Sequence, residues 1–207
     1  MFIEKLKKEF KTNEPIFVED ILSLYPEFTR AYVFRLIKKA EENGDLLKFS
    51  RGVYFISKKT FFGESTLTSP MVANKKYISS GESIYGLYSG LSLLNMFSIS
   101  TQIPNTLEIV TNNEATRKRV VDIDGMKFIV RKSRFEITEE NYCYYVILQL
   151  FLDLGNNPKI DDFAKQRIKK YIKEMNIDPN RLIKLGMNFP AQVMKNLLGS
   201  EVLNGTI

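Results

Sequence analysis

Not one of the 207 residues is histidine, and a single one, Cys143, is cysteine. Without an imidazole the chain lacks the commonest general base and metal ligand, so Ser-His-Asp, Cys-His and His-zinc chemistry are excluded within it. One thiol cannot close an internal disulfide, which fits a reducing cytosol. No apolar run approaches the ~20 residues that span a bilayer. The start, Met1-Phe2-Ile3-Glu4-Lys5, lacks the apolar stretch of a signal peptide, so a cytoplasmic location without a membrane partner is expected. Also missing are a GxxxxGK phosphate loop closed by Ser or Thr, a strand-GxGxxG-helix unit and a cysteine pair for zinc. Gly199-Ser200 is not followed by the spaced Asp pair of a nucleotidyltransferase. No cofactor, no metal and no catalysis are expected.

What is present suits one large or two small domains. Hydrophobic residues make up 44% of the chain, with 15 Phe and 10 Tyr, enough for real cores rather than disorder. The formal net charge of +6 allows an anionic partner without naming it.

The stretch Phe17 to Ile56 organises the rest. Val18, Ile21, Leu22 and Tyr25 repeat at the spacing of one helical face, and Tyr25-Pro26 stops that helix because the residue before proline is pushed out of the α region. Thr29 is placed to cap a second helix whose buried stripe is Val33, Leu36, Ile37 and Ala40, ended by Asn43-Gly44. Leu47 and Phe49 alternate before Ser50-Arg51-Gly52, and Val53 and Phe55 alternate after it, which predicts a two-stranded hairpin with a basic tip. The pattern predicts a winged helix-turn-helix, completed by a first amphipathic helix over residues 2–11 with a solvated lysine face. In such a fold the second helix of the motif enters a DNA groove. Subtracting its apolar stripe leaves Thr29, Arg30, Tyr32, Arg35, Lys38 and Lys39. Thr29, Arg30, Tyr32 and Arg35 sit where base edges are reached, while Lys39, Lys48 and Arg51 suit phosphates.

Residues 58–80 predict a connection, with a short strand around Met71–Ile78 and a domain boundary at 64/65. Ser83 is placed to cap a helix from Ile84 to Asn95, whose Gly86 and Gly90 predict a close helix-on-sheet contact. Leu107 to Thr111 predicts a strand, and Val120–Ile123, Asp124-Gly125 and Met126–Arg131 a hairpin on a type I′ turn. Asp122 and Asp124 look like a metal pair but belong to a turn. The hairpin segment carries Arg117, Lys118, Arg119, Lys127, Arg131, Lys132 and Arg134 against those two carboxylates, a second candidate anion surface. Thr138 is expected to cap a helix that holds Cys143 as a small core residue, with Glu139 and Glu140 in its first turn. A helix opened by Asp161 or Asp162 should bury Ala164, Ile168, Tyr171, Ile172 and Met175. Further helices start at Asp178-Pro179 and Phe189-Pro190, and residues 199–207 are expected to fray. The fold class expected is α+β: a winged helix-turn-helix over 1–64, then a mixed α/β domain over 65–207 with a small sheet and a helical C-terminus.

Several stretches carry a family likeness: Arg51-Gly52-Val53-Tyr54-Phe55-Ile56, Lys59-Thr60-Phe61-Phe62-Gly63-Glu64, Tyr85-Gly86-Leu87-Tyr88-Ser89-Gly90-Leu91, Gln102-Ile103-Pro104-Asn105, and Glu108-Ile109-Val110-Thr111-Asn112-Asn113, followed by the basic hairpin. Together they resemble the AbiEi-type antitoxins and their DUF6088-like relatives, over the chain as far as the helix that holds Cys143. The resemblance implies a transcriptional repressor that binds inverted repeats in its own promoter. It also implies a C-terminal domain that counters a nucleotidyltransferase toxin, usually without a stable complex. Carried onto this sequence, it puts the recognition helix at Thr29–Lys39 and the wing tip at Ser50-Arg51. The basic hairpin is the candidate antitoxin surface on charge alone. The alternative function is a nucleic-acid-processing enzyme fed by the winged helix, which would need Glu108, Asp122 and Asp124 to converge. A protein-binding adaptor would instead have its wing and helix covered.

Overall fold

The first helix, α1 (Phe2–Glu9), buries Leu6 and is tied down by a lysine rather than merely solvated. Lys5 Nζ donates to the Leu24 carbonyl at 2.6 Å and sits 4.4 Å from the centre of the Tyr25 ring, while Lys7 pairs with Asp45 at 3.5 Å. A lysine at a helix C-terminus satisfies a carbonyl that the helix itself cannot. The computed structural model describes residues 2–61, 63–156 and 160–204. Phe62 in the likeness above and the end of the fraying segment, 205–207, lie outside them.

Next come β1 (Ile16–Phe17), α2 (Val18–Leu24), α3 (Arg30–Glu42), β2 (Leu47–Ser50) and β3 (Val53–Phe55). The sheet order is β1-β3-β2, antiparallel throughout, with Ile16 opposite Tyr54 and Leu47 opposite Phe55. The hairpin is therefore part of a three-stranded sheet. Its central strand β3 buries Val53, Tyr54 and Phe55 alike instead of alternating, and β1 pairs along what would have been its open edge. The local chemistry is as read: Thr29 Oγ1 accepts from the Tyr32 N–H at 3.3 Å, Gly44 takes φ +73°, and Gly52 takes φ +76°. Helix α2 starts where the Phe17 N–H donates to the Asp20 carboxylate at 3.0 Å. Leu6, Ile16, Ile21, Val33, Ile37 and Leu46 are closed to solvent in one core. Each such side chain contributes about 1.5–3 kcal/mol on burial.

Residues 59–77 hold a small hairpin, β4 (Lys59–Thr60) with β5 (Gly63–Glu64), and helix α4 (Ser69–Tyr77). The strand expected at Met71–Ile78 is thus mostly helix: Thr68 O accepts from the Met71 and Val72 N–H groups, Pro70 presets the first turn, and Val72 and Ala73 are buried. The chain divides into two compact units, Met1–Lys75 with Ile123–Gly125, and Lys76–Asp122 with Met126–Ile207. The first runs past the boundary expected at 64/65, since Lys75 Nζ lies 2.8 Å from Glu14 and 3.7 Å from Asp20.

The second unit begins with a short hairpin, β6 (Ser79–Ser80) and β7 (Ser83–Ile84), then β8 (Gly86–Ser89) and α5 (Leu91–Met96). The helix expected from Ile84 to Asn95 is therefore a strand followed by a short helix. A Cβ on Gly86 would collide with the Tyr77 and Val110 carbonyl oxygens, a crowding that suits a sheet interior, and Gly90 at φ +61° ends the strand. Strands β9 (Leu107–Thr111), β10 (Arg119–Ile123) and β11 (Met126–Lys132) complete a mixed sheet in the order β10-β11-β9-β8, with β9 and β11 parallel and β8 and β9 antiparallel. Asp124 and Gly125 both take positive φ at the β10–β11 turn, as a type I′ turn requires.

Helix α6 (Tyr142–Asp153) packs on this sheet. Its N-cap is Asn141, not Thr138; Asn141 Oδ1 accepts from the Thr138 N–H. Glu139 instead accepts from the Ile84 N–H at 2.9 Å. Helices α7 (Asp162–Glu174, capped by Asp161), α8 (Pro179–Gly186, capped by Asp178) and α9 (Ala191–Gly199) follow. Met175 falls just beyond α7 and is 49% exposed, contrary to expectation. Val202 and Leu203 are buried, so the chain stays packed past residue 199. The class is α+β with a helical C-terminus. Among the described residues no helix is long and apolar enough to cross a membrane.

Candidate nucleic-acid interface

Helix α3 buries Val33, Ile37 and Ala40 and leaves Thr29, Arg30, Tyr32, Phe34, Arg35, Lys38 and Lys39 exposed. The exposed side is ordered by aromatic rings. The buried Tyr25 stacks on Phe28 (centroids 5.6 Å, planes 7° apart), and Phe28 meets Tyr32 edge-on at 4.9 Å. The Arg35 guanidinium lies 5.3 Å from the Tyr32 ring centre, and that of Arg30 lies 5.5 Å from the Phe34 ring. Each stack contributes roughly 0.5–1 kcal/mol at an exposed site. More to the point, it holds a planar donor fork in place before any partner arrives.

The remaining candidates are less constrained. Thr29 spends its oxygen on the helix cap. Lys38 makes a loose i,i+4 pair with Glu42 at 3.9 Å, whereas Lys39 has no ion-pair partner among the described residues. Lys48 on β2 and Arg51 at the hairpin tip are exposed and likewise unpaired there. The structure gathers Arg30, Tyr32 and Arg35 on one helix and places Lys48 and Arg51 on the β2–β3 hairpin. Sequence reasoning missed Phe28 and Phe34. Their only signal was that they lie off the helical stripe while being too apolar for an idle surface.

The basic hairpin behaves differently. Arg119 donates through Nε and Nη2 to Glu114 at 3.0 and 2.8 Å, and Arg131 does the same to Glu108 at 3.2 and 2.8 Å. Burial pushes the Glu114 carboxyl up, but the Thr116 N–H and hydroxyl together with Arg119 outweigh it and hold the group low. Arg117, Lys118, Lys127, Lys132 and Arg134 have no carboxylate partner among the described residues. Arg134 instead lies 5.4 Å from the Phe189 ring centre, and its backbone N–H donates to the Tyr145 hydroxyl at 2.9 Å. Arg117, Arg131, Lys132 and Arg134 line a cavity of about 700 Å³; Arg119, Lys118 and Lys127 do not. The far wall is α6, where Gln149 donates to Asp153 at 2.7 Å. Sequence reasoning passed over this pair, although two polar residues at i and i+4 in a helix otherwise apolar all round were a signal.

The enzymatic alternative asks for convergent carboxylates. Glu108 is engaged by Arg131, strand β11 separates it from Asp122, and no group of three metal-ligating side chains occurs among the described residues. Cys143 is partly buried, and burial raises its thiol pKa. Residues 2–179 match the model of a family of unknown function, DUF6088. No curated protein matches the chain.

Proposed function

The chain belongs to DUF6088, a family of unknown function, and from the chemistry of α3 we propose that this member is a cytoplasmic DNA-binding repressor and the antitoxin of a toxin–antitoxin system. It has no catalysis of its own in this reading. It represses its operon by binding inverted repeats of promoter DNA through the unit that contains α3. The other unit counters a nucleotidyltransferase toxin, with no stable complex required.

The observation that carries the DNA-binding part is the pair of arginines held over rings on the open side of α3. A guanidinium kept in place loses less side-chain entropy when it pairs bidentately with guanine O6 and N7. Lys39, Lys48 and Arg51 supply phosphate contacts around it. The antitoxin part is supported only by the likeness in sequence and by the unpaired cations of the second unit.

A gel shift with the protein's own upstream DNA tests the first part. Arg35→Ala should cost ~1–3 kcal/mol of discrimination between operator and random duplex. Arg51→Ala should weaken both alike and flatten the salt slope by about one. Equal losses on both duplexes for both variants, or no shift at low ionic strength, would overturn the reading. Co-expression with the adjacent reading frame tests the second part: relief of a growth arrest supports it, and arrest unaffected by this protein overturns it.

A further inference from the structure

We propose that the cavity between the end of β11 and α6 is a binding site for a small phosphate monoester of nucleotide size. The proposal goes beyond the DNA-binding reading and does not depend on it. The first argument is charge. Arg117, Lys132 and Arg134 converge on one cavity without a carboxylate partner, and the fourth cation there, Arg131, already has Glu108. Like charges gathered in a concave wall repel one another and focus a positive potential into the space they enclose. A dianionic phosphate relieves that repulsion, and guanidinium forks match its oxygens bidentately.

The second argument is the opposite wall. Tyr145, Gln149 and Asp153 lie at i, i+4 and i+8 on α6 and so face the cavity together. Both oxygens of Asp153 are already engaged, one by the Gly90 N–H at 2.6 Å and one by the Gln149 amide. Each carboxylate oxygen thus already has a donor from the protein, although the side chain still lines the cavity. Gln149, only 4% exposed, keeps its Oε1 without a hydrogen bond among the described residues. That acceptor still reaches solvent, and it fits a ligand that carries an N–H or O–H donor as well as a phosphate. A volume of about 700 Å³ lies inside the range of small-molecule sites, roughly 300–1,000 Å³, and exceeds what a bare phosphate fills.

The test is calorimetric titration of the full chain with AMP, GMP, CMP and UMP, with the parent nucleosides, inorganic phosphate and a 5′-phosphorylated oligonucleotide as further arms. At least one nucleotide should bind at one site per chain, and its nucleoside and inorganic phosphate should bind at least about tenfold more weakly. Arg117→Ala with Lys132→Ala should weaken the nucleotide by at least about tenfold, the loss expected for charge-assisted pairs. Lys173→Ala, an exposed position on α7 outside the cavity, should leave nucleotide binding unchanged. Ala115→Phe, from an exposed position on the rim, should block the site with every charge in place. Unchanged far-UV circular dichroism and unchanged operator binding in these variants separate loss of the pocket from loss of the fold or of the α3 interface. The proposal is overturned if no nucleotide binds, if inorganic phosphate binds as tightly, if only the oligonucleotide binds, or if Ala115→Phe binds like the parent.

Discussion

Asp153→Asn should make the protein more stable at neutral pH and leave it unchanged near pH 4. Asp153 ends α6 with protein around most of its carboxylate, and burial pushes its pKa up to about 6 from 3.8. The hydrogen bonds from Gly90 and Gln149 and the charge of Arg131 pull it down without cancelling that push, and Glu108 adds to it. A carboxyl whose pKa is raised on folding binds more protons in the native than in the unfolded chain between the two values. Its contribution is therefore full below 3.8 and is lost as pH rises through about 6. At about 1.4 kcal/mol per pH unit the ionised form costs at most about 3 kcal/mol, since the group still meets the cavity. Asparagine keeps the geometry if Gln149 reverses its amide: Asn Oδ1 takes the Gly90 N–H, and Asn Nδ2 donates to Gln149 Oε1. The absolute pH profile of the parent protein mixes opposing effects, because Glu114, held low, stabilises above its own range and loses that as pH falls. The difference between variant and parent isolates Asp153. Urea unfolding followed by far-UV circular dichroism suits a chain with no tryptophan, at several values between pH 4 and 8. The difference should grow from near zero to about 2–3 kcal/mol in favour of Asn. A difference that is flat with pH, or a variant less stable than the parent at pH 7.5, would refute the reasoning.

Gly86→Ala should be among the most damaging single-atom changes in the chain, because the new Cβ meets two backbone carbonyl oxygens rather than yielding side chains. A loss on the order of 3 kcal/mol, or about 6–12 °C in Tm, is expected, and a shift under about 2 °C would show that β8 can move aside. Lys75→Met should destabilise the first unit by about 1–3 kcal/mol by removing the cation that Glu14 and Asp20 share, each of them keeping one backbone N–H donor, from Lys11 and Phe17. A double-mutant cycle with Glu14→Gln should return a coupling of at least about 0.5 kcal/mol, and a coupling near zero would assign the loss to packing.

What could be read from the residues was whatever local chemistry decides. Thr29, Asp161 and Asp178 cap helices because an acceptor two or three residues ahead of free N–H groups needs no distant partner, and Gly44 and Asp124-Gly125 turn the chain for equally local reasons. Strand β1 was unreadable: two residues have no period, and only pairing with β3, far along the chain, makes them a strand. Ile84, Leu87, Leu91 and Leu94 matched a helical face although half of them lie in strands, since pairing of β7 with β6 and of β8 with β9 outweighs spacing. The same division holds for the sites. Subtracting the apolar stripe of α3 isolated Arg30, Tyr32 and Arg35, but not Phe28 and Phe34, whose positions against those side chains are a product of packing. The hairpin's charge was plain in the residues, and Glu114 finds Arg119 only five residues on, yet that Arg131 would be spent on Glu108 depended on the pairing of β9 with β11, and so did the cavity left for the others. Positive charge in a sequence thus measures capacity; only the carboxylates that tertiary structure brings near determine how much of it stays available for a ligand.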